Sequence, residues 1–248
     1  MRQRLRSKIL LVAMLALAGC QPGEANGDDA PLPALGLFGT ISIYWGEESD
    51  VADFLDDTGE PDWVRASLEE SFELVPLDAL EDDMLAAMRF LILAQPRPLA
   101  PSENVALDRW VRAGGQALIF ADPMLTRHSS FPIGDRRRPQ DVVLLSPILA
   151  RWGLELRFDD EQPDTEHWVT HARGSIPTRL AGEFALLPGE GAAACRLSAA
   201  GLVARCDIGE GHVTLVADAA VLDGDEAGFV SSDRRDSFVG LVDESFTR

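Results

Sequence analysis

The runs Phe72 to Pro76, Arg89 to Ala94 and Ala117 to Ala121 are short and apolar almost throughout, with no strict alternation. A strand of that kind is covered on both faces, which calls for helices on either side and a parallel sheet. Helical periods fill the intervals: Pro61 to Ser71, Ala79 to Met88, and a helix opened by Ser102 as N-cap and stopped by Gly114-Gly115. With a first strand over Leu37 to Trp45, strands recur about every 25 residues, the repeat of βαβ units. The chain reads as α/β.

The stretch Met124 to Asp141 breaks this rhythm and leads to a helix that starts at Ser146-Pro147 and stops at Trp152-Gly153. The final third is different in kind. Leu154 to Phe158, Glu166 to His171 and Glu183 to Leu187 read as short strands with little helix between them. A β extension over about 154–207 is therefore expected, with the chain re-entering the main sheet at His212 to Ala217 after the turn Gly209-Glu210-Gly211. A closing amphipathic helix is read over Asp236 to Phe246.

Within that extension, Cys195 and Cys206 flank a segment whose midpoint falls between Ala200 and Gly201. A hairpin folded there sets the two cysteines directly opposite, at a separation a disulfide bridges. A redox or metal pair would need shorter spacing or further ligands.

The N-terminus carries Arg2, Arg4, Arg6 and Lys8, then the apolar run Ile9 to Ala18, then Leu17-Ala18-Gly19-Cys20. The run is half the ~20 residues that span a bilayer, and basic, apolar and small-residue regions in that order are an export signal. The pattern resembles the bacterial lipobox, which implies cleavage before Cys20 and acylation of it, with enough acyl chains for a stable anchor. The expected organisation is a signal peptide over 1–19, a flexible tether over 20–36 rich in Gly, Pro and Asp, and one domain over 37–248. Gln21, in place of an aspartate after the cysteine, looks like the pattern that permits sorting to the outer membrane. The expected location is thus the cell envelope, lipid-anchored and facing the periplasm, at the outer rather than the inner membrane.

Loss of residues 1–19 would remove four of the 22 Lys and Arg and none of the 41 Asp and Glu, taking the formal charge from −19 to −23. So acidic a surface excludes nucleic acid as an expected partner, because a phosphate backbone needs a basic footprint. Lys8 is the only lysine, so the remaining chain has no lysine for a Walker-type phosphate loop, a Schiff base or a Ser/Lys dyad. No cofactor or metal is expected. His167 and His171 have the i, i+4 spacing of a helical zinc pair, but the residues between them are strand formers, and in a strand the two lie ~13 Å apart.

Open α/β sheets bind ligands in the crevice at the carboxyl ends of their strands. Asp122 and Asp218 end two of the expected strands there. The loop after Asp122 brings Arg127, His128, Arg136 and Arg137, the densest positive charge in an acidic chain. Two readings stand side by side: these groups meet an anionic or carbohydrate ligand or a protein partner, or the arginines neutralise an acidic surface. Ser129 or Ser130 beside His128 and Asp122 lacks the G-x-S-x-G elbow of a hydrolase.

Three segments in order carry a resemblance: Leu99 to Gly115 on to Ala121-Asp122-Pro123; Leu145-Ser146-Pro147 to Arg151-Trp152-Gly153; and Ile208-Gly209-Glu210-Gly211-His212-Val213 to Ala217-Asp218. Together they resemble the GldG-like gliding-motility and ABC-transport auxiliary family. That resemblance implies a domain similar to class I glutamine amidotransferases, with a flavodoxin-like, mostly parallel sheet, and a non-catalytic binding or scaffold role beside an ABC transporter. An amidotransferase would carry a cysteine on the turn after the third strand, which here reads Ala94-Gln95-Pro96. The rival reading is an envelope hydrolase or amidotransferase-like enzyme.

Overall fold

A computed structural model describes residues 31–47, 61–188, 194–224 and 229–246. Cys20, the signal segment 1–19 and most of the tether 20–36 lie outside them. Seven strands form the central sheet. In sheet order they are β2 (Glu73–Pro76), β1 (Ala34–Gly39), β3 (Phe90–Ala94), β4 (Gln116–Phe120), β11 (Gly211–Val216), β10 (Val203–Ile208) and β9 (Ala194–Ser198). The first five are mutually parallel, and β10 and β9 complete the edge antiparallel. The order 2-1-3-4 followed by β11 is the flavodoxin-like winding, whose direction reverses between β1 and β3. Every residue of β3 and β4 is buried, as their continuous apolar runs demand.

Helices α1 (Trp63–Glu69), α2 (Asp82–Ala86), α3 (Pro101–Arg112), α4 (Ser146–Arg151) and α5 (Ser232–Ser245) accompany the sheet. Asp62 caps α1 by accepting from Val64 N at 2.9 Å. The expected cap at Ser102 shifts: α3 begins at Pro101, whose fixed φ suits a first helical position. Glu103 then supplies the missing acceptor, taking Ala100 N at 2.8 Å and Leu80 N at 3.1 Å while gripping both terminal nitrogens of Arg97 at 2.8 Å. Gly114 leaves the helix at φ 111°, in the left-handed region open to glycine. Among the described residues no helix is long and apolar enough to cross a membrane.

Three strand expectations need correction. β1 starts at Ala34, inside the stretch read as tether, and ends at Gly39, well short of Trp45. β7 (Gly174–Thr178) is hidden in the sequence by Pro177, yet it pairs with β6 (His167–His171) in a ribbon where a proline nitrogen can face outward. The extension is not one sheet: β5 (Leu154–Phe158) with β8 (Gly182–Leu186) and β6 with β7 are separate ribbons, while β9 and β10 belong to the main sheet.

The cysteine hairpin has the expected register, with Cys195 opposite Cys206 at a Cα separation of 4.0 Å, joined as a disulfide. Closing a loop of 11 residues contributes about 2–3 kcal/mol by restricting the unfolded chain. Cys195→Ser with Cys206→Ser should therefore lower the unfolding free energy measured by urea titration by that amount and leave the far-ultraviolet circular dichroism unchanged. Two titratable thiols in the unreduced wild-type domain would refute the bridge.

Candidate functional site

The carboxyl edge is level, because Gly39 aligns with Ala94, Ala94 with Phe120, and Phe120 with Val216. Gln95 follows β3 with φ 48°, a left-handed position rare for a side-chain-bearing residue. Its buried amide is fully used: Nε2 donates to the carbonyls of Asp122 (3.0 Å) and Gln140 (2.8 Å), and Oε1 accepts from Asp122 N (2.9 Å). Thr40, just past β1, donates to Gln95 O at 2.6 Å and accepts from Gln140 N at 2.9 Å. Gly39 is obligatory beside them, since a Cβ there would sit 2.0 Å from Ala94 O. The loop from Asp122 to Leu145 is thus sewn across the switch point between β1 and β3. The turn that holds a nucleophilic cysteine in an amidotransferase holds a hydrogen-bonding amide here.

Asp122 and Asp218 occupy equivalent positions two residues beyond β4 and β11, as the sequence suggested, but both are buried. Asp122 accepts from Met124 N (2.8 Å) and Ala219 N (3.1 Å), and Asp218 from Ala220 N (2.6 Å) and Arg179 N (2.9 Å). Burial pushes Asp122 up to about 7, against the pull of those backbone N–H groups, with the charge of Asp223 adding to the rise. Burial, then the charge of Asp122, carries Asp218 well above the usual carboxylate range. These carboxylates pin turns of their own chain.

Arg127 also turns inward. It donates to Leu222 O at 2.9 Å, pairs with Asp223 at 3.2 Å and lies 3.6 Å from Asp62. Burial raises both of those aspartates, and Arg127 pulls each back down. His128, Arg136 and Arg137 remain exposed on the loop. Arg137 forks onto Asp135 (2.8 and 3.1 Å) and stacks over Phe131 at 4.2 Å. The structure therefore brings Asp122 and Asp218 together, ties Arg127 to a neighbouring acidic cluster, and leaves His128, Arg136 and the Arg137–Asp135 pair at the surface.

Glu47 is the contact that sequence reasoning missed. One carboxylate oxygen takes Ser129 Oγ (3.0 Å), Ser130 N (2.7 Å) and Ser130 Oγ (3.0 Å), fixing the loop's middle. The two serines, which lack the sequence elbow of a hydrolase, hold the loop in place. A separate grouping lies between the β6–β7 ribbon and α5, where His171 Nε2 meets Glu244 at 2.8 Å. Among the described residues His171 Nδ1 and Ser237 Oγ have no hydrogen-bond partner, and both residues line a cavity of about 10 Å³, room for a single water molecule. His167 bonds Thr178 on the facing strand instead.

The three segments singled out in the sequence converge at the other, amino edge. Trp152 Nε1 donates to Asp108 Oδ1 at 3.0 Å, while Arg112 (3.0 Å) and Arg151 (2.6 Å) hold Asp108 Oδ2. Gly211 lies so close to α3 that a Cβ would come within 2.2 Å of the carbonyls of both Val111 and Gly115. A family model described as "ABC-type uncharacterized transport system" matches residues 46–170, half of the chain. The chain belongs to that family. The matched stretch of this transport-system family holds β2 to β5, the switch-point turn and the whole Arg loop.

No curated protein sequence matches the chain. Among solved structures it is similar to Gan42B, a GH42 β-galactosidase from G. stearothermophilus, at 13% identity and a TM-score of 0.50, over 87% of this chain and 30% of that one. It is also similar to an exo-β-1,4-mannosidase from an Opitutaceae bacterium (16% identity, TM-score 0.45, 78% and 32% covered). A ThuA-like protein from Bacteroides uniformis matches at 12% identity and a TM-score of 0.42, covering 88% and 93%. The chain spans about a third of the length of the two glycosidases. At such identity the galactosidase likeness speaks to the fold alone.

Proposed function

We propose that the chain is a non-catalytic, lipid-anchored envelope component of an ABC-type transport system, a binding or scaffold subunit similar to GldG-like auxiliaries. The observation that carries this reading, beyond family membership, is the turn after β3. Gln95 spends its amide on the loop across the switch point, where an amidotransferase-type enzyme would keep a nucleophilic cysteine. What the carboxyl edge then offers is the outer surface of a fixed loop, which suits a partner better than a small substrate. The lipobox-like Leu17-Ala18-Gly19-Cys20 supports attachment through an acylated Cys20 facing the periplasm, with Gln21 favouring the outer membrane.

The test is purification of the epitope-tagged full chain from gently solubilised native membranes. An ATPase and a permease should co-purify with it, and neither should do so with an unrelated lipoprotein bearing the same tag. Their absence would overturn the transport reading. Cys20→Ser should in parallel abolish labelling by a fatty-acid analogue and leave an unprocessed precursor. Equal labelling of variant and wild type would remove the anchor from the proposal.

A further inference from the structure

Helix α5 runs alongside the β6–β7 ribbon and is clasped to it near both ends. Arg234, in the first turn of α5, reaches Glu166 at 2.5 Å just ahead of β6, and Glu244, in the last turn, meets His171 Nε2 at 2.8 Å where β6 ends. The two spans agree. Residues 234 to 244 rise about 15 Å along the helix, and residues 166 to 171 extend about 17 Å along the strand. Between the clasps lies the cavity of about 10 Å³, walled by His171, Ser175 and Ile176 from the ribbon and by Ser237, Gly240 and Leu241 from the helix. Gly240 contributes no side chain to it, and the nearest atom a Cβ there would meet is Arg173 Cβ, at 3.7 Å.

The His171 side chain is 5% exposed and Ser237 is 9% exposed, and the two atoms left without a partner among the described residues, Nδ1 and Oγ, belong to opposite walls of this one cavity. Burying both unpaired is costly. Glu244 decides what they require, because its carboxylate accepts the proton on Nε2, so that in the neutral ring Nδ1 is an acceptor. Ser237 Oγ can donate or accept. A chloride ion would need donors, and would find a bare ring nitrogen on an imidazole already held by a carboxylate. A metal ion would need several ligands, and among the described residues no group of three or more His, Cys, Asp or Glu gathers to hold one. Water both donates and accepts, and a polar space of this size is the kind that water fills, whereas apolar cavities stay dry.

We propose that this cavity is an internal hydration site, whose one water molecule donates to His171 Nδ1 and accepts from Ser237 Oγ, completing a chain Glu244–His171–water–Ser237 that begins and ends on α5. The ribbon thereby gains a third clasp to the helix. A bridging water of this kind is enthalpically nearly as good as a direct hydrogen bond. It also serves the protonated ring by turning round, accepting from Nδ1–H and donating to Ser237 Oγ.

A crystal structure of the full chain, at a resolution that shows ordered water, tests the site directly. A single density peak should stand about 2.7–3.2 Å from both His171 Nδ1 and Ser237 Oγ, and histidine ring-nitrogen NMR should place the neutral ring's proton on Nε2. Ser237→Ala removes one partner of the water and fills no space, so amide hydrogen exchange at Val169 and Ile176, which face each other across the ribbon, should quicken by about 10-fold, the equivalent of one hydrogen bond. Exchange at Leu91 in β3 and Leu118 in β4 should stay within ~2-fold of wild type. A cavity without density, a halide peak after bromide substitution, or a direct Ser237–His171 hydrogen bond that closes the space would each overturn the hydration site. So would a ring proton on Nδ1, ribbon exchange unchanged in the variant, or exchange quickened equally in β3 and β4.

Discussion

Trp152→Ala should destabilise the domain by about 4–5 kcal/mol, the largest single-residue effect expected outside the backbone contacts of glycine. The indole is completely buried and meets Asp108 of α3, and no smaller side chain fills its volume. Truncation opens a cavity and also strips Asp108 of one of its three side-chain donors, in a site where Arg112, Arg151 and Trp152 together hold that carboxyl below its ordinary range against the opposing effect of burial. The two losses separate in a second variant. Trp152→Phe keeps most of the ring but removes the N–H, so it should cost about 1.5–3 kcal/mol, the range for a hydrogen bond to a charged group. Urea denaturation checks both, with a thermal midpoint lower by roughly 10–15 °C for the alanine variant. A loss under ~1 kcal/mol for Trp152→Ala would mean that the Trp-Gly segment is not what joins α3 to α4.

That junction shows how much of the molecule could be read beforehand. The Gly-Gly stop, the Trp-Gly turn and the Gly-x-Gly turn stood out because each is a local backbone demand visible in a few neighbouring residues. What joins two of them, the packing of Gly211 against the carbonyls of Val111 and Gly115, needs the assembled sheet. β3, β4 and the register of the cysteine hairpin were legible for the same reason: continuous apolarity and a symmetric pair of cysteines are local signals. β7 was hidden by Pro177, which argues against a central strand but not against an edge. At the carboxyl edge the acidic strand ends were found, but not their burial. The links that close the crevice span 45 residues from Gln95 to Gln140 and 82 from Glu47 to Ser129, and side-chain contacts so distant leave no periodic trace. Arg127 looked like a ligand group because nothing in its neighbourhood of sequence reveals Asp223 or Asp62.

Stability should crest near about pH 4–5 and decline toward neutrality, with Asp122 alone accounting for a loss of roughly 4 kcal/mol by pH 7.5, because each pH unit separating a group's folded and unfolded pKa is worth about 1.36 kcal/mol. Two sets of carboxyls shape this profile. Hydrogen bonding to Arg97, together with the Ala100 and Leu80 N–H groups, outweighs burial and lowers Glu103 to about 2. Its contribution is present above the ordinary glutamate value of 4.5 and is lost as pH falls toward 2. Asp122 acts in the opposite direction. Its folded pKa of about 7 lies above the ordinary aspartate value of 3.8, so the folded state holds a proton that the unfolded state releases, and that contribution disappears as pH rises through about 7. Asp218, raised further by burial and by Asp122 itself, extends the decline beyond that point. The charged groups around the pair set its depth: Asp223 adds repulsion, while Arg127 and Arg234 sit against Asp223 and moderate it. Urea midpoints at half-unit intervals from about pH 3 to about pH 8.5 measure the curve. Asp218→Asn removes one of the two buried carboxyls and should make the fall between about pH 5 and 8 shallower, even though losing one acceptor for the Arg179 or Ala220 N–H lowers the whole curve by about 1–2 kcal/mol. A wild-type stability that rises across that range, or a slope unchanged in the variant, would show that burial does not keep these carboxyls protonated in the folded state.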